Sequence, residues 1–172
     1  MPLVLNGTTG VQDNSGAFVA GTAVASTSGT SIDFTSIPSW VKRITVMFNE
    51  VSTNGTVAPQ FQLGTSGGVQ TTGYVGSVTY TGGVVNLPGT GFNTYSNGVW
   101  SSSSVASGSY VFTVLDIASG TWVCNGGLGA SNAAAVGVTI GRKILSGTLD
   151  RIRITMNGTD TFDAGSINIL YE

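Results

Sequence analysis

The sequence predicts an all-β protein: an antiparallel β-sandwich of jelly-roll type with a short extended N-terminal arm. Three observations point there. Short stretches of alternating apolar and polar residues recur at a spacing of roughly 10 residues. Glycine supplies 26 of the 172 residues, and with Ser, Thr and Asn it gathers between those stretches as turn chemistry. No stretch sustains the 3.6-residue apolar period of a helix, and the helix formers Glu, Lys and Leu are scarce. The length suits one domain, which we divide into an arm or docking segment over residues 1–29 and the sandwich over 30–172.

The arm, mostly Gly, Thr, Ser and Ala with Phe18 as its one aromatic residue, is expected to pair with or insert into something else, or else to fray. In TSIDFT, Ile32 and Phe34 alternate as a short strand, and Pro38 sets a turn. VKRITVMFN then places Ile44, Val46 and Phe48 on one face, with Arg43, Thr45 and Met47 on the other. PQFQLG and TTGYVGSVTYTGG read as further strands. From Thr81 to Ser109 the chain is long for a connection. It is expected to be part weak strand and part projecting loop, with Phe92, Tyr95 and Trp100 exposed. SYVFTVLD is apolar on both faces and is expected in the middle of a sheet. TWVCN, VGVTIG, LDRIRITMN and SINILYE follow. The last two, joined by GTDTFDAG, are expected to pair as a hairpin.

Charge excludes several functions. Only 8% of residues are charged, against a usual share of about a quarter. The net charge is −2 and the pI about 4.8. Six basic residues in three pairs, Lys42 with Arg43, Arg142 with Lys143 and Arg151 with Arg153, are too few to neutralise many phosphates, so no nucleic-acid partner is expected. So little charge holds a surface only weakly away from its neighbours, which favours contact with copies or other subunits. The opening MPLVLNGTTGVQ has neither the charged start nor the apolar core of a signal peptide, and no run is long enough to span a membrane.

Chemistry is equally constrained. The chain has no histidine, so a Ser-His-Asp or Cys-His arrangement is impossible. The eight acids are scattered, and Asp160 and Asp163 share one turn, where aspartate is an ordinary residue. A calcium site there is the alternative. Cys124 is the single cysteine and reads as a buried inert thiol. We expect no enzyme, metal or cofactor. Asn-Gly-Thr occurs at residues 6–8, 54–56 and 157–159. It reads as a tight turn in which both first residues accept positive φ. Two sets remain as candidate sites. Tyr80, Phe92, Tyr95 and Trp100, beside Ser, Thr and Asn, would suit a receptor glycan or a subunit interface, although Tyr80 and Phe92 read equally well as core. Arg43, Arg151 and Arg153 lie opposite the apolar faces of two like strands, which suits subunit contacts or cross-strand pairs with Glu50 and Asp150.

The stretches SIDFTSIPSWVKRITVMFNEVSTNG and LSGTLDRIRITMNGTDTFDAGSINILYE resemble a domain at the C-terminal end of tail-fibre and related virion proteins of tailed bacteriophages and prophages. The likeness covers about residues 30–172, closest at the two ends. LVLNGTTGVQDNSG is similar to the linker that leads into such domains. The resemblance implies a non-enzymatic, β-rich virion component without a cofactor, a homotrimer held to other virion proteins through the arm and facing the host surface. It assigns no site residue. Within it, attachment to a host surface glycan stands against capsid decoration as a head fibre, or tail or baseplate assembly, with no receptor-binding role.

Overall fold

The computed structural model describes residues 5–6, 10–11, 18–80, 82–95, 100–132 and 134–172, with only the backbone of residues 5, 6, 10, 11 and 80. Among them there is no helix, and every strand pairing is antiparallel. In chain order the strands are β1 (Leu5–Asn6), β2 (Gly10–Val11), β3 (Val19–Ala20), β4 (Val24–Ala25), β5 (Ser31–Phe34), β6 (Arg43–Thr53), β7 (Gln60–Thr65) and β8 (Gly68–Val69). They continue with β9 (Tyr74–Tyr80), β10 (Gly83–Asn86), β11 (Phe92–Asn93), β12 (Ala106–Asp116), β13 (Thr121–Ala130), β14 (Val136–Ile144), β15 (Arg151–Thr155) and β16 (Phe162–Tyr171).

Two sheets enclose the core. The larger runs β10-β9-β14-β13-β12-β6-β16-β3, with β4 also paired to β16. The smaller runs β11-β7-β15-β5, with β8 also paired to β7. β1 and β2 form a separate pair. This is the expected antiparallel sandwich. Consecutive β12, β13 and β14 stay in one sheet as a meander, so the connectivity is simpler there than in two interleaved Greek keys.

Alternation decides which side chains enter. In β6, Ile44, Val46 and Phe48 are buried while Arg43 is exposed; in β15, Ile152 and Ile154 are fully buried, and Met156 follows them inward. A one-residue slip would turn each row to solvent, so burial holds the register. β6 lies between β12 and β16, β15 between β5 and β7. The two like strands therefore belong to opposite sheets and share one interior. Phe61 of β7 bridges the layers. Its ring centroid lies 5.7 Å from Phe48, 4.7 Å from Tyr110 and 5.2 Å from Phe112, distances at which tilted and edge contacts are favourable. β12 sits mid-sheet as expected, with Tyr110 and Phe112 buried.

The structure corrects four expectations. β15 and β16 are not a hairpin: the chain crosses from one sheet to the other between them, because both flanks of β15 are taken by β5 and β7. The 81–109 region is not a projecting aromatic loop. Its short β10 and β11 join the two sheets, and its rings go inward. The Asn54-Gly55 and Asn157-Gly158 turns adopt no positive φ. Instead Asn54 Oδ1 accepts the Thr161 N–H at 2.9 Å, and Asp160 accepts the Val57 N–H at 2.9 Å across the closely approaching Gly55. The repeats thus lock two loops together. Finally, Glu50 pairs with no arginine. Its carboxylate accepts from Ser107 and Ser131 at 3.2 Å each.

Within the expected arm, β3 and β4 run along β16 of the sandwich itself. Ser26 is buried and donates to the Ala164 carbonyl at 2.7 Å. Apart from β1 and β2, residues 1–17 lie outside the described residues. Cys124 is buried on β13, and loss of hydration pushes its thiol well above the ordinary range. Native protein should therefore resist a thiol-reactive dye, and one thiol per chain should appear on unfolding in denaturant. Rapid labelling of native protein would contradict that burial.

Candidate functional site

Phe92, Tyr95 and Trp100 are at most 3% exposed. Phe92 packs edge-on against Tyr74 at 4.9 Å and tilted against Phe112 at 5.9 Å. Tyr95 and Trp100 make a tilted ring contact at 5.4 Å. Tyr95 donates to the Leu128 carbonyl at 2.8 Å, and the Trp100 indole N–H to Thr53 Oγ1 at 2.6 Å. Burial pushes the Tyr95 phenol up to about 12. These three side chains are core and cannot meet a receptor, which corrects the aromatic-surface expectation. The Tyr80 side chain lies outside the described residues. What decided the matter is that each polar tip finds a partner inside, which makes burying an aromatic ring inexpensive.

The three arginines do not form one patch. Arg43 meets Glu172 at 2.9 Å. Arg153 grips Asp33 of β5 with two bonds, 2.7 and 2.8 Å, which holds its guanidinium further above its ordinary range. Arg151 grips its neighbour Asp150 in the same way, at 3.0 and 2.7 Å. The pairs are half exposed and each contributes little stability.

The best-formed concavity is elsewhere, at one end of the sandwich. It encloses about 290 Å³ between the β5–β6 loop, the β12–β13 turn and the β14–β15 loop. Trp122, Val41, Leu145 and Leu149 make an apolar floor, all buried. Ser39, Ser119, Ser146 and Thr148 add hydroxyls, and Lys42 adds the site's positive charge.

Each wall follows from local sequence. Pro38 accepts the Val41 N–H at 3.1 Å and turns the first loop. Asp116 caps the β12–β13 turn by accepting the Ala118 N–H at 3.0 Å, and its carboxyl is held below the usual range first by Ser119 and then by that N–H. Gly120 has φ +66° and lies so near the Leu145 carbonyl that a Cβ would stand 2.7 Å from that oxygen. The third wall is braced from within by Lys143. This residue is 5% exposed, donates to Gln70 Oε1 at 2.8 Å and to the Ile144 carbonyl at 2.5 Å, and lies 5.5 Å from the Tyr74 ring centre. Burial lowers its amine pKa. Gln70 in turn donates to Ser146 Oγ at 2.6 Å.

An apolar floor with a hydroxyl rim and no lining carboxylate suits a small, neutral or weakly anionic polyhydroxylated group. It offers no general base of suitable geometry. Among the described residues, no three His, Cys, Asp or Glu side chains gather as a metal-binding group. Asp160 and Asp163 are each taken up separately, by Val57 N–H and by Ser52 Oγ.

Fold and cleft together define an all-β sandwich with a sparsely charged surface and a small end cleft. Compared with known proteins, the chain matches no family model, no curated protein and no solved structure.

Proposed function

We propose that this chain is a non-enzymatic structural protein of a tailed-bacteriophage virion, of the tail-fibre or receptor-binding type, that attaches to a glycan of the host surface. The observation that carries the reading is the likeness of the two long stretches, residues 31–55 and 145–172, to the terminal domains of such fibres. The end cleft supports the glycan half of the proposal: it pairs a largely aliphatic floor with hydroxyl donors and acceptors and Lys42, which suits the apolar face and hydroxyls of a sugar ring.

The test is direct binding of the purified chain to a panel of bacterial surface polysaccharides. Gly147→Trp is the informative variant. Gly147 lines the cleft and a Cβ there meets nothing nearer than Thr65 at 3.7 Å, so the fold should tolerate the substitution and the indole is expected to obstruct the cleft mouth. We expect at least about tenfold weaker binding, as for the loss of one stacking or packing contact, with an unchanged melting temperature. Binding unaffected by the variant would remove the cleft from the proposal. Failure of the unsubstituted protein to bind any polysaccharide would favour the second reading, capsid decoration or tail assembly. That reading draws support from the exposed apolar residues on the larger sheet, which suit contact with protein.

A further inference from the structure

Among the described residues nothing covers the outer face of the larger sheet near β14, and its charges there are few: Arg142 on β14, and Glu50, whose carboxylate accepts from Ser107. On β14, Val136, Val138, Ile140 and Ile144 point outward, with Val136 53% and Ile140 66% exposed. Val75 of β9 and Val84 of β10 extend this apolar surface. Arg142 is the one charged residue on the outward face of β14. Next to this ridge, β13 presents Gly127 and Gly129 on the same face, and β12 beyond it presents Ser107 and Ser109. A bulky row thus stands beside a shallow trough.

The ladder fixes how row and trough are related. Val138 lies beside Gly127, and Val136 beside Gly129. A two-fold axis parallel to the strands, running above the space between β13 and β14, would carry each valine of one copy onto the glycine of the other at the same height. The two valines of each ridge would fill the partner's glycine trough, and Ile140 would lie over Asn125 beside it. Sheets pack face to face at a separation of about 10 Å, and a modest crossing angle from twist leaves that fit intact.

We propose that this face is a two-fold interface and that its occupant is a second copy of the same chain. The surface is self-complementary in shape, as an isologous contact requires. With Arg142 alone charged on the ridge strand, it lacks the charge pattern that would select a different, highly charged partner. The five neighbouring strands β10, β9, β14, β13 and β12 span about 24 Å by up to about 30 Å at ordinary strand spacing and rise, on the order of 700 Å². A standard stable interface buries about 800 Å² per partner. The inference is independent of the virion reading, and it differs from the three-fold assembly which the family resemblance implies.

Light scattering and sedimentation on the full chain at micromolar concentration test it. The expected mass is twice 17.4 kDa. A Cβ at Gly129 meets nothing within 4 Å, and its φ is ordinary. Gly129→Leu should therefore fold with an unchanged melting temperature yet block the trough twice per dimer, weakening self-association roughly 100-fold or more. Val138→Asp should do the same through the ridge. A single-chain mass for the unsubstituted protein overturns the proposal. So does a three-chain mass, or a dimer whose mass both variants leave unchanged.

Discussion

Removing residues 166–172 is expected to abolish cooperative folding. The segment carries Ile167 and Ile169, at most 2% exposed, and half-buried Tyr171. It also supplies the strand between β6 and the β3 and β4 edge. Glu172 closes the far end of this ladder, exchanging backbone bonds of 2.9 and 3.0 Å with Arg43. Burying the two isoleucines alone contributes about 3–6 kcal/mol, within a total stability on the order of 5–15 kcal/mol. The deletion also leaves the inner row of β6 uncovered on one side. The truncated chain should show no cooperative thermal transition and should bind a hydrophobic dye. Ile167→Ala serves as the graded control, with an expected loss of about 2–5 kcal/mol. A truncated chain that melts as sharply as the full one would refute the assignment of β16 to the core.

The second large effect is expected from Phe61→Ala. Phe61 is fully buried and is the ring through which the smaller sheet meets three aromatic residues of the larger one. Truncation leaves a cavity lined by rings already held in place by their strands, so collapse is limited. The loss should be about 3–5 kcal/mol. At about 2–4 °C per kcal/mol for a chain of this size, the melting temperature should fall by roughly 10 °C. Arg153→Ala, by contrast, removes a partly exposed ion pair and should cost under about 1 kcal/mol. Equal losses for the two variants would mean that the inter-sheet aromatic cluster is not where stability resides.

Much of the frame was legible from local pattern. The alternation in VKRITVMFN and LDRIRITMN correctly named Ile44, Val46, Phe48, Ile152, Ile154 and Met156 as core, and left the arginines outward. The burial of Cys124 followed from its place on an apolar strand with no histidine to activate it. The candidate site was not legible. Its floor and walls come from three loops widely separated in sequence, and nothing local marks Ser39, Trp122 and Thr148 as neighbours. Only the short words SIPSWVK, ASGTW and LSGTL, each a turn beside a strand end, carried a trace of it.

Sequence by itself determined that the chain is all-β, where most strands lie and which face of each enters the core. Those properties depend on period-two alternation and turn residues, which act within a few positions. Tertiary structure alone decided the partners. It placed two strands of like alternation in opposite sheets, sent GTDTFDAG across the sandwich and not around a hairpin, and drew Phe92, Tyr95 and Trp100 of the glycine- and serine-rich middle inward. Strand pairing depends on which edge is free and which ring fills the space opposite, and these are set by residues far away along the chain.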